Sequence, residues 1–306
     1  MKTVLILYNS NNGSDISSKL KKGFEDLYSY AEDKGVEFCR APVGGYDEEN
    51  NLFKEVQFFK KEWVTKKNIK PDIVYDKTPF YIEKKFQILR EKIFQKNFFY
   101  NDLETSKVLS NKWLTYERFK DFCPLTFLIE SEKDLVKVEK MKSEKIICKP
   151  ITGSGGEGIV IFPRNEMRPI EYPFIVQEFI ETSSEDNDEF SGPHDLRVFM
   201  KNKTPFYAYL RIPQEGDLIA NLSHGGRMKV INVDNLPKAV FDIVSFISQK
   251  FEKNNHKLYS VDLIFDKNQK PWILEMNSRP GITLEKEELE YRSFFYNNLI
   301  DFFLEI

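Results

Sequence analysis

Residues 149–162 read KPITGSGGEGIVIF, and this segment limits how the surrounding chain folds. Residues 153–158 match the pattern G-x-G-x-x-G, but a dinucleotide-binding turn needs a helix directly after its last glycine. Here β-branched and aromatic residues follow Gly158 and end at Pro163, which predicts a second strand. A Walker loop is also excluded, because Ile159 stands where that loop requires lysine.

The segment therefore predicts a β-hairpin with a glycine-rich tip, and two interpretations of the tip are open. Loops without Cβ atoms bring backbone N–H groups close to phosphate oxygens, and Lys149 lies at the end of the first strand. Alternatively, the tip is an ordinary surface hairpin without a ligand.

Composition excludes several classes of protein. The 306 residues suffice for two or three small domains, and 45 basic against 48 acidic residues leave a net charge of −3, which provides no basic field for nucleic acid. The three cysteines are scattered and form no C-x-x-C pair, so they predict neither a disulfide framework nor a zinc site. The apolar run at residues 4–8 is too short for a signal peptide or a membrane span. We therefore expect a cytoplasmic protein that binds neither nucleic acid nor membrane.

The first hundred residues alternate between strand and helix patterns. The first helix is expected to be capped by Ser14 and ended by Gly35. A second helix, polar and rich in Phe and Lys, is expected before the third strand. Strands are predicted at residues 3–8, 36–42 and 72–76, and a closing helix near residues 83–95. This alternation predicts a small parallel α/β sheet.

The rest of the chain contains a mixed segment followed by a strongly β-rich one. Residues 101–174 hold a helix that ends near Phe119, a strand, a helix and the glycine hairpin. Further strands are predicted at residues 174–180, 195–201, 204–213, 227–233, 259–266 and 270–278, with one helix at 236–252. We therefore predict an α/β protein that is α+β in its C-terminal part, with domains at residues 1–100, 101–174 and 175–306.

The two C-terminal strands carry carboxylates inside apolar sequence. Glu275 and Asn277 stand two residues apart and so share one face of their strand. The turn DKNQK makes the two strands a hairpin, which can bring Asp262 beside Glu275. Two carboxylates and an amide oxygen suit Mg²⁺ held against phosphates. The alternative is that Asp262 and Glu275 are exposed strand residues without a metal.

Polar residues in two neighbouring segments point to an anionic ligand. Arg211 and Asn221 belong to LRIPQEGDLIANLSHGG, and Arg197 belongs to HDLRVF. The donor fork of arginine suits carboxylates and phosphates. Each of these arginines taken singly is more often part of a surface ion pair.

Six segments in the same order resemble the ATP-grasp superfamily, in particular glutathione synthetase and RimK-type ligases. They are NKWLTYERF, IICKPITGSGGEGIVIF, IVQEFIE, HDLRVFM, RIPQEGDLIANLSHGGR and VDLIFD…WILEMNSRPG, and they span about residues 101–285. The resemblance implies an ATP-grasp fold, in which a small N-terminal α/β domain precedes two β-rich subdomains that bind the nucleotide between them. It also implies that the G-x-G-x-x-G match is accidental and that the loop is a lid over a triphosphate.

The resemblance also implies roles for individual residues. The phosphate-binding lysines would be Lys112 and Lys149, and the hinge that reads adenine would run from Gln177 to Ile180. Arg279 stands where these families usually carry a small residue, so we assign it to the acceptor site. The other implied assignments are Ser154, Gly155 and Gly156 in the lid; Glu178, Phe179 and Glu181 at adenine and ribose; Asp262, Glu275 and Asn277 on Mg²⁺; and Arg211, Asn221 and Arg197 at the reacting centre.

The resemblance implies a ligase that uses ATP and Mg²⁺, with two ions and with Mn²⁺ as a substitute. It would join a carboxylate to an amine through an acyl phosphate and release ADP and phosphate. The expected partners are amino acid or peptide substrates, and a homo-oligomer is left open. The alternatives are a kinase of the same fold, a peptide-modifying enzyme that forms ester or amide cross-links, and a nucleotide-binding module without chemistry.

Overall fold

The computed structural model describes residues 1–306 except 10–17, 80–81, 154, 183–189, 191, 216, 218–225, 252–255, 285 and 306. The chain forms two compact units, one made of residues 1–102 and 281–306 and the other of residues 103–280. Within the described part of the chain, no helix has the length and apolar character needed to span a membrane.

The first unit is built on a sheet whose central strands are parallel. Its strand β1 is buried on both faces, as expected for an apolar run between two parallel neighbours. The strand order is β3-β4-β2-β1-β6-β7, with β5 paired to β4. The elements are β1 (Lys2–Tyr8), α1 (Ser18–Glu32), β2 (Val36–Pro42), β3 (Tyr46–Asp47), β4 (Leu52–Phe59), β5 (Trp63–Ile69), β6 (Ile73–Asp76), α2 (Lys84–Lys96) and β7 (Phe99–Tyr100).

The polar helix predicted before the third strand is wrong, because this segment forms the antiparallel hairpin β4–β5. Phe53, Val56 and Phe58 are buried in the core of the first unit, and β4 pairs with β2. The lysines that suggested a helix lie mainly on β5. Among the described strands β5 pairs only with β4, and its central residues are exposed. Charged residues are common on such an edge strand because they discourage pairing with another chain.

The C-terminal helix packs in the first unit. The Phe303 ring lies 5.4 Å from the Phe38 ring and 4.7 Å from the Tyr100 ring, measured between centroids. This grouping differs from the predicted subdomain 175–306, because aromatic burial joins residues 281–306 to the N-terminal sheet. The functional division at residues 100 and 174 stays a prediction. The helix is α6 (Arg292–Leu304).

The second unit contains two antiparallel sheets. One has the order β10-β9-β11-β8 and includes the predicted glycine hairpin, whose strands β9 and β10 are antiparallel neighbours. The other has the order β14-β13-β12-β15-β16, and α5 packs in its core. The elements are α3 (Leu103–Ser110), α4 (Lys112–Phe119), β8 (Thr126–Ile129), β9 (Lys145–Pro150), β10 (Val160–Pro163), β11 (Phe174–Glu178), β12 (Asp195–Lys201), β13 (Thr204–Ile212), β14 (Arg227–Ile231), α5 (Lys238–Lys250), β15 (Leu258–Phe265) and β16 (Pro271–Asn277).

The segment after β8 differs from its predicted α-helix. It forms a 3₁₀-helix at Glu132–Lys140, which begins with a capping box between Ser131 and Asp134. Val138 is its one buried residue. Because the segment buries so little apolar surface, tertiary packing does not favour a regular α-helix over the tighter turns of a 3₁₀-helix.

Candidate nucleotide and metal site

The five-stranded sheet brings two aspartates and two arginines together on one face. Strand register places Arg197 opposite Asp262 and Asp195 opposite Arg211. The guanidinium of Arg197 donates to both carboxylate oxygens of Asp262 at 2.7 and 2.6 Å. Arg211 donates to Asp195 at 2.5 and 3.0 Å and to Asp262 at 2.6 Å. The two arginines are therefore internal ion-pair partners rather than surface charges.

Burial and charge act in opposite directions on these carboxyl groups. Burial alone raises the pKa of Asp262, which is 1% exposed, but Arg197 and Arg211 outweigh it and hold that pKa well below the ordinary value. Burial raises the pKa of Asp195 to about 6, and its neighbour Asp262 adds to this effect against the opposing charge of Arg211. Asp262 therefore stays ionised far below neutral pH, whereas Asp195 begins to take up a proton as the pH falls towards 6.

Asp195 is a member of the site that sequence reasoning missed. It lies two residues before Arg197 and therefore on the same strand face, which is the signal that could have indicated it. The sequence alone could not show its bond to Arg211, because that contact depends on the pairing of β12 with β13.

The predicted neighbourhood of Asp262 and Glu275 is confirmed, because the two residues are directly opposite in the β15–β16 hairpin. A β-bulge at this pair places Leu274 and Glu275 both on the wall of one cavity. Among the described residues, the cations nearest to Glu275 are Lys112 at 3.8 Å and Arg197 at 3.9 Å, and both distances exceed hydrogen-bond length. The carboxylate of Glu275 therefore keeps oxygen lone pairs for another ligand.

These oxygens fit a magnesium ion by their chemistry. Among the described residues, no three His, Cys, Asp or Glu side chains cluster as a metal site. A metal here would rely on the carboxylates of Asp262 and Glu275 together with the amide oxygen of Asn277, which are hard donors of the kind Mg²⁺ prefers. The Asn277 Oδ1 atom accepts one hydrogen bond, from the backbone N–H of Arg279 at 2.8 Å, and an amide oxygen has a second lone pair.

Lys149 is held in the other sheet of the second unit. Its ammonium donates to Gln177 Oε1 at 2.7 Å, and Gln177 Nε2 donates in turn to Thr126 Oγ1 at 3.0 Å. Burial lowers the pKa of Lys149 to about 8, although the charge of Glu275 opposes this effect. The ammonium is therefore fixed in place and only partly stabilised by protein charges.

Lys112 connects the start of α4 with the glycine loop. Its ammonium donates to the backbone carbonyl of Gly153 at 2.8 Å, and its backbone N–H donates to Ile151 at 2.9 Å. Asn111 caps the helix by accepting from the backbone N–H of Leu114 at 3.0 Å. These bonds fix the helix start next to the glycine loop.

The glycine loop has backbone angles that favour glycine. Gly153, Gly155, Gly156 and Gly158 have φ values of 109°, 76°, 78° and 72°. A Cβ atom at Gly158 would also lie 2.8 Å from the Pro150 ring. The loop therefore needs glycine for its conformation.

A cavity of about 380 Å³ brings most of the predicted nucleotide residues together. Its apolar part includes Ile147, Ile161 and Ile264. Of the predicted residues, Lys149, Gly155, Gly156, Glu178, Phe179, Ile180, Glu181, Arg211, Asp262 and Glu275 line it. Lys112, Gln177 and Arg197 are not part of the lining but contact Glu275, Lys149 and Asp262, respectively. Ser154 and Asn221 lie outside the described residues.

The segment predicted as a hinge begins where β11 ends. Glu178 is the last residue of β11, and its carboxylate accepts from the backbone N–H of Lys142 at 2.5 Å. The Glu181 carbonyl accepts from the backbone N–H of Lys267, in the β15–β16 turn, at 3.1 Å. Phe179 and Ile180 lie between these anchors and face the cavity.

Arg279 follows β16 and lies beside α3. Its guanidinium donates to Ser110 Oγ at 3.4 Å, and the hydroxyl groups of Ser110 and Ser278 are 2.8 Å apart. The cavity lining does not include Arg279. Its assignment to an acceptor site stays a prediction.

We expect nucleotide affinity to depend on the charge of Lys149. The charged form predominates below the pKa of about 8 and is the form that attracts phosphate. The association constant for ATP in excess Mg²⁺ should therefore fall as the pH rises from 7.5 to 9.5, by at most about tenfold per pH unit. Calorimetric titrations across this range measure it. A Lys149→Met variant should show no such fall, and a parallel fall in that variant would contradict the assignment.

Comparison with known proteins shows which family this chain resembles. The RimK-like ATP-grasp domain matches residues 105–291, which is more than half of the chain. A glutathione synthetase of Prochlorococcus marinus subsp. pastoris is 24% identical over 164 residues, which cover 50% of each chain. The chain spans about half the length of the curated glutathione synthetases that it matches.

Solved structures share the fold at low sequence identity. The ATP-grasp ligase PsnB, in complex with a phosphomimetic variant of a minimal precursor, Mg and ADP, has a TM-score of 0.60 at 11% identity over 99% of this chain and 98% of PsnB. A RiPP-associated ATP-grasp ligase of Chryseobacterium gregarium, in complex with ADP and a leader and core peptide, has a TM-score of 0.58 at 15% identity over 98% and 92% of the two chains. The predicted ATP-grasp fold is confirmed, and this chain belongs to the RimK-like ATP-grasp domain family.

Proposed function

We propose that this protein is an ADP-forming ligase that joins a carboxylate to an amine. The observation that carries the proposal is a single cavity in which the buried Lys149 shares the lining with Arg211, Asp262 and Glu275. Such a cavity offers cations for phosphate and carboxylate groups and oxygen donors for a metal. Its apolar part offers a surface for adenine, with the backbone between Glu178 and Glu181 as hydrogen-bonding edge.

Asp262, Glu275 and Asn277 are the proposed ligands of Mg²⁺, with two ions in the complete site and with Mn²⁺ as a substitute. When bound, the metal neutralises charge on the phosphate oxygens of ATP. Its use here is supported by the donor set and by the family, since PsnB was solved with Mg and ADP. Lys149 and Lys112 would add positive charge on the phosphate side.

The proposed reaction has two steps, since an ionised carboxylate is a poor acyl donor. A carboxylate oxygen of the substrate attacks the γ-phosphorus of ATP, and ADP leaves. The amine nitrogen then attacks the carbonyl carbon of the acyl phosphate and loses a proton, and phosphate leaves with the electron pair of the broken C–O bond. The product is an amide.

Arg211 is the proposed group that holds the reacting carboxylate and then the acyl phosphate. The guanidinium of Arg211 donates hydrogen bonds to Asp195 and Asp262, so the orientation of the guanidinium is set before any substrate binds. A donor that is already oriented costs no reorganisation when charge develops on the reacting group. Arg197 would act mainly by fixing Asp262. Asn221 and Arg279 are proposed for the same centre.

The glycine loop is proposed as a lid over the triphosphate, with Ser154, Gly155 and Gly156 at its tip. Acyl phosphates hydrolyse, so a ligase of this kind must exclude water while the intermediate exists. The bond from Lys112 to Gly153 gives the loop a fixed anchor on one side. The positive φ angles of its glycines allow backbone N–H groups to approach phosphate oxygens.

The proposed substrate is an amino acid or a peptide, in a cytoplasmic reaction. The structures of PsnB with a precursor and of the Chryseobacterium gregarium ligase with a peptide support the peptide alternative, including cross-linking within a larger peptide. Cys39, Cys123 and Cys148 are free and buried, which suits a reducing compartment.

Hydroxylamine trapping tests the proposal against a kinase. With ATP, Mg²⁺ and a panel of amino acids, short peptides and precursor-length peptides, hydroxylamine should intercept the acyl phosphate and yield a hydroxamate together with ADP and phosphate. Arg211→Ala should suppress hydroxamate formation by about 100-fold or more while ATP binding changes little.

The matched control is Arg227→Ala, since Arg227 is an exposed arginine of the same sheet. This variant should form hydroxamate at the parent rate. A stable phosphoester without hydroxamate or free phosphate would replace the ligase with a kinase.

A further inference from the structure

Two arginines of the first unit are almost fully buried, and their surroundings differ. Arg90 is 4% exposed and donates to Asp76 through both its Nε and its terminal nitrogen. Arg40 is 7% exposed, and its Nε is enclosed without a hydrogen-bond partner among the described residues. Arg90 is therefore a satisfied structural arginine, whereas Arg40 has no comparable carboxylate in the part of the chain that the structure describes.

The environment of Arg40 consists of aromatic rings and further hydrogen-bonding groups. Its guanidinium carbon lies 4.3 Å from the centre of the Tyr8 ring. The Tyr28 hydroxyl is also buried and has no partner among the described residues. Burial raises the pKa of Tyr28 well above its ordinary value, against the lowering effect of Arg40, so this hydroxyl remains a hydrogen-bond donor. Arg40 and Tyr28 thus each carry a buried donor without an acceptor among the described residues, and the two side chains are close enough for the charge of Arg40 to act on the Tyr28 hydroxyl.

Two carboxylates of α1, the helix that carries Tyr28, already have hydrogen-bond partners. Glu25 accepts from the Trp63 indole N–H at 2.7 Å, and Trp63 packs against Tyr28. Asp26 is bound by the guanidinium of Arg292. Burying a charge without a partner costs desolvation free energy that no hydrogen bond or ion pair compensates. Such a residue is explained by a ligand that supplies the missing negative charge.

The position of Arg40 in the sheet supports a ligand. Strands β2 and β6 flank β1 on opposite sides and run parallel to it, so the chain changes direction across the sheet at β1. Open parallel sheets bind ligands beyond the carboxyl ends of the strands at such a point. Tyr8 is the last residue of β1, and Arg40 lies two residues before the end of β2. The next residue, Asn9, has a buried side-chain oxygen without a partner among the described residues.

We propose that Arg40 binds a carboxylate of the ligand, with the Tyr28 hydroxyl as a second donor and the Tyr8 ring beside the guanidinium. One guanidinium balances one carboxylate charge and matches its two oxygens, whereas a phosphate dianion would leave excess charge in a buried site. The choice of an amino acid or peptide as the carrier of that carboxylate rests on the proposed ligase function.

Thermal unfolding of the full-length protein tests the proposal with sodium L-glutamate, succinate, glycyl-glutamate and inorganic phosphate as probes. At least one carboxylate should raise the unfolding midpoint of the parent. Arg40→Met should abolish this shift, which corresponds to a loss of affinity of about tenfold or more. The shift produced by ATP with Mg²⁺ should remain.

The control is Arg292→Met, which removes a partly exposed arginine of the same unit and should retain the carboxylate shift. Without ligand, Arg40→Met should unfold at the parent midpoint or above it, whereas Arg90→Met should unfold at a lower one. A low midpoint for Arg40→Met, or no carboxylate shift in the parent, overturns the proposal. A phosphate shift that depends on Arg40 overturns the carboxylate assignment. If ATP with Mg²⁺ does not raise the unfolding midpoint of the parent, this result would instead count against the proposed function.

Discussion

Lys149→Met is expected to weaken ATP binding by about tenfold to a hundredfold while the protein stays folded. Charge-assisted hydrogen bonds to phosphate contribute about 1.5–3 kcal/mol each, and 1.4 kcal/mol corresponds to a factor of ten. The ammonium of Lys149 is held by Gln177 at 2.7 Å, so its position is defined before the nucleotide binds. Calorimetric titration with ATP and Mg²⁺ measures the loss.

The fold should tolerate this substitution for a physical reason. Burial disfavours the charged form of Lys149, as its lowered pKa shows, so an apolar side chain of similar length removes a desolvation cost. Gln177 keeps its bond to Thr126 at 3.0 Å. Lys140→Met, at an exposed lysine in the same part of the second unit, is the matched control and should bind ATP as the parent does. Equal ATP affinity in parent and Lys149→Met would refute the phosphate assignment.

Asp262→Asn and Glu275→Gln should each lower Mg²⁺-dependent turnover by about 100-fold or more at low Mg²⁺, with partial rescue at high Mg²⁺. Each change removes one anionic oxygen from the proposed metal site but keeps the shape of the side chain. Steady-state rates of ADP release as a function of Mg²⁺ concentration measure both effects. Normal turnover of either variant at low Mg²⁺ would remove that residue from the metal site.

The two variants should differ in stability. Asp262 is the buried partner of both Arg197 and Arg211, and leaving buried charges without their partner costs about 3–5 kcal/mol. Glu275 is partly exposed and lies 3.8 Å or more from its nearest cations, so its replacement should change the unfolding free energy little. Urea denaturation of the two variants measures this difference. Equal stability of the two variants would show that the ion pairs of Asp262 with Arg197 and Arg211 do not stabilise the fold.

Short-range patterns predicted much of the second unit. The turn DKNQK between two apolar runs predicted the hairpin that sets Asp262 opposite Glu275, and the structure has this register. The glycine segment predicted antiparallel strands rather than a strand and a helix, which the structure also shows. These predictions succeeded because hairpin partners are close in sequence, so turn chemistry and strand propensity act on the same few residues.

Patterns failed where a partner from another part of the chain decides the structure. Residues 52–69 have charges that suit a solvated helix, but burial of Phe53 and Phe58 against β2 makes them strands. Residues 281–306 follow β16 in sequence, yet the Phe303 ring is buried against Phe38 and Tyr100. Tertiary burial of this kind outweighs local propensity.

The sequence by itself indicated which residues could form the site. Side-chain chemistry pointed to the oxygen donors on β16 and to the lysine near the end of β9, and backbone sterics explain why the loop contains glycines at positive φ. The ion pairs and the pKa values of those residues depend on contacts between strands that are distant along the chain. Pairing of β12 with β13 and β15 makes Arg197 and Arg211 partners of Asp262 and brings in Asp195. Electrostatic energies in a buried site depend on distance and desolvation, and only the folded chain determines these two quantities.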